Sequence, residues 1–257
     1  MDILDLFFSV DEGMTLTEIS RRLSVPKSSA HALLQAMRRR GYLSWDPRTK
    51  LFSIGYRVVV LAQASPILDM LREGARAHLE QLSASLHETV MLGAYQSESV
   101  VCVDTVESPD PVRFTVQLGE RRPLHSSSLG KVYLASLSDD EVRRLIGLIG
   151  LERQTDSTIT EIDELLDELQ EVRRAGYAAS RGESIEGVYS YGVPIYAHSG
   201  VLIAGISVVG VSERMVAKEE RIVVGLSVAA AAFSGEVGGI LDASSSRSDP
   251  KPGVDEE

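Results

Sequence analysis

The stretch "LSVPKSSAHALLQAMRRRGYL", residues 23–43, constrains the chain more than any other. Pro26 suits the first position of a helix, where its missing N–H would be unpaired in any case. Ala30, Leu33, Leu34 and Met37 then recur at i, i+3, i+4 and i+7. Such a narrow apolar stripe needs packing partners on one side only. At about 100° per residue, Ser28, His31, Ala32, Gln35 and Arg39 point away from it, with Arg38 at its flank. The partners lie just upstream. Ile3, Leu4 and Phe7 recur at helical spacing before "DEGM" breaks the pattern. "TLTEISRRL" opens with Thr15 and Glu18 three residues apart, so that each side chain can satisfy the other's free backbone N–H. Leu16, Ile19 and Leu23 share one face of this second helix.

Downstream, "YLSWDPRTKLFSIG" holds two short β-prone runs, Tyr42 to Trp45 and Leu51 to Ile54, joined by a turn-rich segment that carries Arg48 and Lys50. Helix, helix, turn, helix and basic ribbon is the order of a winged helix-turn-helix, an element whose third helix enters a DNA major groove. The outward residues suit that use. Short side chains permit close approach, Gln and His can read base edges, and Lys and Arg neutralise phosphates. The candidate contacts are Lys27, Ser28, Ser29, His31, Gln35, Arg38 and Arg39 on the helix, with Arg48 and Lys50 on the ribbon. The bland reading of a polar helix face is weakened by the ribbon that follows it.

Charge distribution agrees. Residues 1–60 hold nine Lys and Arg against six Asp and Glu, although the formal net charge of the 257-residue chain is −11, so the acidic excess belongs to the remainder. A basic head on an acidic body indicates a polyanion-binding module joined to something else. The length favours two domains. No apolar run is long enough to cross a bilayer, and the acidic, apolar start "MDILDLFF" is unlike a secretory signal, so a cytoplasmic protein without membrane contact is expected. The single thiol, Cys102, can build neither a disulfide framework nor a zinc site and is expected to pack. The five histidines lack ligand spacing, so no metal or other cofactor is expected.

"LSVPKSSAHALLQAMRRRGYL" with "DPRTKLFSIG" resembles the N-terminal domain of IclR-family bacterial transcriptional regulators, with Ala32 at a position where that pattern often has Arg and Phe52 in place of a wing Tyr. The resemblance implies a dimer that can pair into a tetramer. Residues 1–55 are then the DNA-binding domain, 56–72 a linker helix with a hinge at Ser65-Pro66, 73–242 an effector-binding domain and 243–257 a disordered tail. The apolar run Val58, Val59, Val60 and Leu61 in the linker suits pairing with a second chain.

In the body, "TVMLGAY" and "SVVCVDTV" read as a hairpin and "VRFTVQLG" as a third strand. "ITEIDELLDELQEVRRAGYA" puts Ile162, Leu165, Leu166, Leu169 and Val172 on one helical face before a stop at Gly176, two more strands flank His198-Ser199-Gly200, and one long helix spans about 212–241. An antiparallel sheet with packed helices is α+β, and the order is similar to the GAF-like effector domain of the same family. "PLHSSSLGKVYLAS" invites a nucleophile-and-base reading of His125 with Ser126, Ser127 and Ser128. The serines read better as helix caps, because no G-x-S-x-G turn is present and a helix start offers N–H groups to an anion. The segment also looks like a second family motif. By position, the resemblance places effector contacts at Ser128, Leu129 and Gly130, at Ser180 and Ser190 where relatives often have Asp and Cys, and at Ser207, with Val188 as an apolar wall. Such a pocket admits an anion or neutral polar molecule more readily than a cation, so a small organic acid or aromatic compound is the expected effector. Tyr189 and Tyr191 could line its mouth or simply pack. The competing readings are a hydrolase-like enzyme using the His125 region and a sensor or scaffold whose head binds protein.

Overall fold

The computed structural model describes residues 3–7, 13–58, 66–96 and 98–245. Its contacts divide it into two compact units, Met1–Asp69 and Met70–Glu257.

In the first unit, the short strand β1 (Met14–Thr15) leads into α1 (Leu16–Arg22), which starts with the expected reciprocal cap. The Thr15 N–H donates to the Glu18 carboxylate at 2.8 Å and the Glu18 N–H donates to the Thr15 hydroxyl at 3.3 Å. Helix α2 (Lys27–Arg39) follows. Pro26 stands one residue earlier than expected, at the N-cap, because its ψ of 143° is extended; its carbonyl accepts the Ala30 N–H. The expected first helix is a single 3-10 turn, Leu4–Phe7. One tight turn suffices to bury Ile3, Leu6 and Phe7. Strands β2 (Leu43–Asp46) and β3 (Leu51–Ile54) form the expected hairpin, in register from Leu43 opposite Ile54 to Asp46 opposite Leu51. β1 adds a third strand that the sequence reading missed, pairing Met14 with Phe52. Ile19, Leu34, Leu43 and Phe52 meet in the core, which places the Phe52 ring where a tyrosine hydroxyl would need a partner.

Leu33 departs from the expected stripe and is 50% exposed. The buried line of α2 runs through Ala30 and Leu34, and Leu33, about 100° round the axis from Leu34, falls beyond its edge. The chain is helical again at 56–58. The rest of the expected linker, with Val59, Val60, Leu61 and Ser65, lies outside the described residues, as does the expected tail beyond 245.

Helix α3 (Pro66–Leu86) runs across the boundary between the units and continues through the expected start of the effector domain at 73. β4 (Thr89–Gln96), β5 (Ser99–Val106), β6 (Arg121–Pro123), α4 (Ser128–Ala135), α5 (Asp139–Ile149) and α6 (Ile162–Ala175) follow. β7 (Ala178–Arg181), β8 (Val188–Tyr196), β9 (Leu202–Val211), α7 (Ser212–Ala217) and α8 (Glu219–Ser245) complete the order. The six strands form one antiparallel sheet in the order β6-β5-β4-β9-β8-β7. Two-residue periodicity sends Val90, Leu92, Tyr191, Val193, Ile206 and Val208 to the face covered by α3 and α8. Met91, Cys102 and Val209 go to the face covered by α4, α5 and α6. Tyr189 and Tyr191 therefore pack into the α3/α8 side.

Two expectations fail here. "VRFTVQLG" is not a strand, because the free edge of β5 is already taken. The Gly119 N–H donates to Cys102 O at 2.7 Å, the Cys102 N–H donates to Glu120 O at 2.9 Å, and β6 continues the pairing. The expected long C-terminal helix breaks at Lys218 and then runs on to Ser245. The break turns Arg214 and Lys218 onto one buried carboxylate, Glu88, with Arg214 nitrogens at 2.8 Å from each oxygen and Lys218 Nζ at 3.0 Å. Extension past residue 241 adds a helical bond per residue at little cost once the helix exists.

A second buried ion group ties α4 to its surroundings. Lys131 is 1% exposed, and its ammonium donates to Glu183 at 2.7 Å, Glu168 at 3.0 Å and the Ala179 carbonyl at 3.0 Å, which uses all three protons. Burial pushes the Glu183 carboxyl upward and the Lys131 ammonium opposes that shift. Lys131→Met removes the opposing charge and should lower stability by about 3–5 kcal/mol at neutral pH. With the folded-state Glu183 pKa raised further above its unfolded value, the deficit should shrink as pH falls toward the unfolded carboxylate range; urea melts of both proteins at several pH values check this.

Candidate functional site

The first unit presents a cationic face. Lys27, Ser28, Ser29, His31, Arg38 and Arg39 on α2 and Arg48 and Lys50 on the ribbon are exposed, with Gln35 half-buried among them. Gln35 links the helix residues, its Nε2 3.4 Å from His31 Nε2 and its Oε1 accepting from Arg38 at 3.4 Å. The Arg38 guanidinium lies over the Trp45 ring at 5.3 Å, which joins the helix to the ribbon. At the ribbon tip, Asp46 accepts the Arg48 backbone N–H at 2.8 Å, and this bond holds its carboxyl below the usual range. Among the described residues no carboxylate lies within ion-pairing distance of these cations, since every such pair falls at residue 76 or later. A set of cations left unneutralised on a thin convex helix and ribbon can neutralise phosphates.

The second unit contains a narrow cavity of about 40 Å³ beneath an open mouth. Its floor comes from the sheet: Met91 of β4, Ser180 of β7, Val188 and Ser190 of β8, and Ser207 and Val209 of β9. Ser127, Ser128 and Leu129 at the start of α4, Ser184 and Ile185 from the β7–β8 turn, Phe114, Val116 and Arg122 close the sides. The start of α4 is brought there by Leu129. A Cβ added at Gly93, Gly192 or Gly205 would stand 2.6–2.8 Å from a Leu129 methyl, so three glycines on adjacent strands make the hollow that this side chain fills.

Most of the hydroxyls are committed. Ser127 caps α4 by accepting the Gly130 N–H at 3.1 Å. Ser180 and Ser184 donate to the Ser126 carbonyl at 2.6 and 2.8 Å. Ser190 donates to Ser128 at 2.9 Å, which leaves the Ser128 proton for another acceptor. Of the sequence-expected effector residues, Ser128, Leu129, Ser180, Val188, Ser190 and Ser207 all reach the wall. Gly130 does not; the backbone of Pro123 and Leu124 passes where its Cβ would be. The sequence reading missed Arg122, Ser184, Ile185, Phe114 and Val116. Arg122 and Ser184 lie beside quoted motifs, but Phe114 and Val116 were hidden by the false strand.

The His125 region does not form a nucleophile and base. Buried His125 donates Nε2 to the Glu152 carbonyl at 3.0 Å, the Ser126 hydroxyl goes to Gln154 at 3.3 Å and the Ser127 hydroxyl to the Pro123 carbonyl. Burial pushes the Cys102 thiol up to about 12, in keeping with a packing role. Among the described residues no group of three or more His, Cys, Asp and Glu could hold a metal, and no helix is long and apolar enough to cross a membrane.

A winged helix-turn-helix followed on one chain by an α+β unit with a hydroxyl-lined cavity defines the class of DNA-binding regulators that carry their own effector-binding domain. Residues 1–47 match the IclR helix-turn-helix domain and residues 68–234 the C-terminal domain of the bacterial transcriptional regulator IclR. The chain belongs to the IclR family, a family of transcriptional regulators and not of enzymes. The HTH-type transcriptional regulators KdgR of Dickeya chrysanthemi and of Escherichia coli are each 34% identical to it over 194 residues, 75% of this chain. The matched region covers 63% of the Dickeya protein, under two thirds of its length, and 73% of the E. coli protein. A crystal structure of an IclR homolog from Microbacterium hydrocarbonoxydans, complexed with 4-hydroxybenzoate, is similar with a TM-score of 0.75 and 28% identity over 91% of this chain and 95% of that one.

Burial holds the His125 pKa below its ordinary value of 6.5. The unfolded chain therefore binds a proton that the folded one refuses, and stability should fall as pH drops through about 6.5 toward the depressed value. His125→Gln, which keeps a donor for the Glu152 carbonyl, should flatten that loss; thermal melts of both proteins between pH 5 and about 8 measure it.

Proposed function

We propose that this chain binds double-stranded operator DNA as a homodimer, able to pair as a dimer of dimers, and that a small organic acid or aromatic compound in the second unit's cavity modulates the binding. The observation that carries this reading is the cationic face of α2 and the ribbon, which no described carboxylate neutralises. Helix α2 enters the major groove, Gln35 and His31 address base edges, and Lys27, Arg38, Arg39, Arg48 and Lys50 take phosphates. Ser28 and Ser29, at the N-terminal end of the helix, are small enough to let the backbone approach. Two-fold symmetry presents two such heads to two half-sites.

In the cavity, Ser128 and Ser207 with the first amides of α4 donate to the ligand's polar groups, Ser180 and Ser190 offer it acceptor oxygens, and Leu129 and Val188 meet its apolar part. The complex of a related protein with 4-hydroxybenzoate, an acid on an aromatic ring, is consistent with that ligand class. The effector changes DNA affinity only as far as it prefers one arrangement of the heads over another.

A mobility-shift salt series on the full chain, with a duplex selected from a random pool, tests the DNA contacts. Arg39→Ala should weaken binding to every duplex and reduce the slope of log affinity against log salt by about one. Gln35→Ala should relax preference at one base pair, worth about 1–3 kcal/mol there. An unchanged slope would remove Arg39 as a phosphate contact.

A further inference from the structure

The cavity wall carries one charged side chain, Arg122, and it is not among the residues that the family resemblance assigns. Arg122 lies on β6, the edge strand opposite Val100 of β5, while Ser180 comes from β7 at the other edge, so the cavity is walled from both edges of the sheet. The Arg122 side chain is 14% exposed, and its guanidinium lies over the Phe114 ring at 5.3 Å. The ring holds the guanidinium at the wall, and a planar guanidinium can meet a carboxylate with two parallel hydrogen bonds.

Its neighbours do not complete that pattern. Arg122 Nη2 is 2.9 Å from Glu120 Oε1 but makes no aligned hydrogen bond and is buried without another partner. Glu120 stands outside the cavity wall, and its other oxygen accepts the Gln117 backbone N–H at 2.9 Å. No carboxylate belongs to the wall, whose remaining polar members are serines. Glu120 is thus the counter-ion on one side of Arg122, and an acceptor from the cavity would complete its hydrogen bonds on the other.

We propose that Arg122 is an anion-pairing and specificity-determining residue of this cavity, taking the carboxylate of the effector by a charge-assisted, two-point hydrogen bond. The proposal rests on the cavity being the effector site. It makes the cavity prefer an acid over the amide of the same shape, because the amide supplies one acceptor and no charge.

Calorimetric titration of the full chain with 4-hydroxybenzoate, benzoate, pyruvate and succinate, each beside its amide, tests it. At least one acid should bind, with its amide at least about tenfold weaker. Arg122→Gln should weaken that acid roughly ten- to a hundredfold and bring acid and amide toward parity, with Arg122→Lys between the two. Should Arg122→Gln fail to fold, the fall in the acid-to-amide ratio is read from Arg122→Lys. A Ser207→Leu variant, which fills the floor, separates the two ways of failing. Loss of acid binding on Ser207→Leu without loss on Arg122→Gln overturns the role of Arg122 alone, whereas no loss on either overturns the cavity as the binding site. Failure of every acid to bind the unmodified protein also overturns the proposal.

Discussion

The second unit depends on how one leucine is seated. Leu129 enters a hollow left by Gly93, Gly192 and Gly205 on β4, β8 and β9, and so lowers the first turn of α4 onto the sheet. No strand bearing Cβ atoms at those three places could accept it without a shift. Everything that makes the cavity follows from this approach: the Ser127 cap, the Ser128 hydroxyl and the leading amides of α4 come within reach of Ser190 and Ser207. Lys131, two residues further on, then finds Glu183, Glu168 and the Ala179 carbonyl, which fixes the β7–β8 turn that supplies Ser184 and Ile185.

The two units divide the electrostatic work. Several carboxylates of the body are paired in place, as at Glu88 with Arg214 and Lys218, whereas among the described residues no carboxylate lies within ion-pairing distance of the head's cations. A net charge of −11 does not prevent such a head from meeting DNA, because at physiological salt the field of distant acidic groups decays within about 8 Å. Contact-range charge decides, and on α2 and the ribbon it is positive.

Local signals in the sequence specify the elements that they touch, whereas competition between segments leaves no mark in any one of them. The Thr15/Glu18 cap, the β2–β3 hairpin and the Gly176 stop each depend on residues within a few positions of one another, and the structure has all three. The serines of the cavity were legible through motif position, and two-residue periodicity explains why Ser190 and Ser207 share a face. The strand expected at 112–119 had the right composition. It lost because residues 119–123 occupy the edge of β5, a contest that no local window reveals. Arg122 carries no local signal for the same reason, since its surroundings are Phe114 and the cavity rather than its neighbours in sequence. Leu33 fits the helical period, yet a head this small has too little core to cover the whole stripe.

The seat of Leu129 is tested most directly by a double-mutant cycle on stability. Gly192→Ala puts a methyl 2.8 Å from a Leu129 carbon and should cost about 1–3 kcal/mol in an otherwise unmodified protein. Leu129→Ala should cost about 2–5 kcal/mol by emptying the hollow. If the two side chains compete for one space, most of the Gly192→Ala cost disappears once Leu129 is alanine. Additive costs within about 0.5 kcal/mol would mean that the glycines do not hold this leucine, and the placement of α4 over the cavity would need another cause.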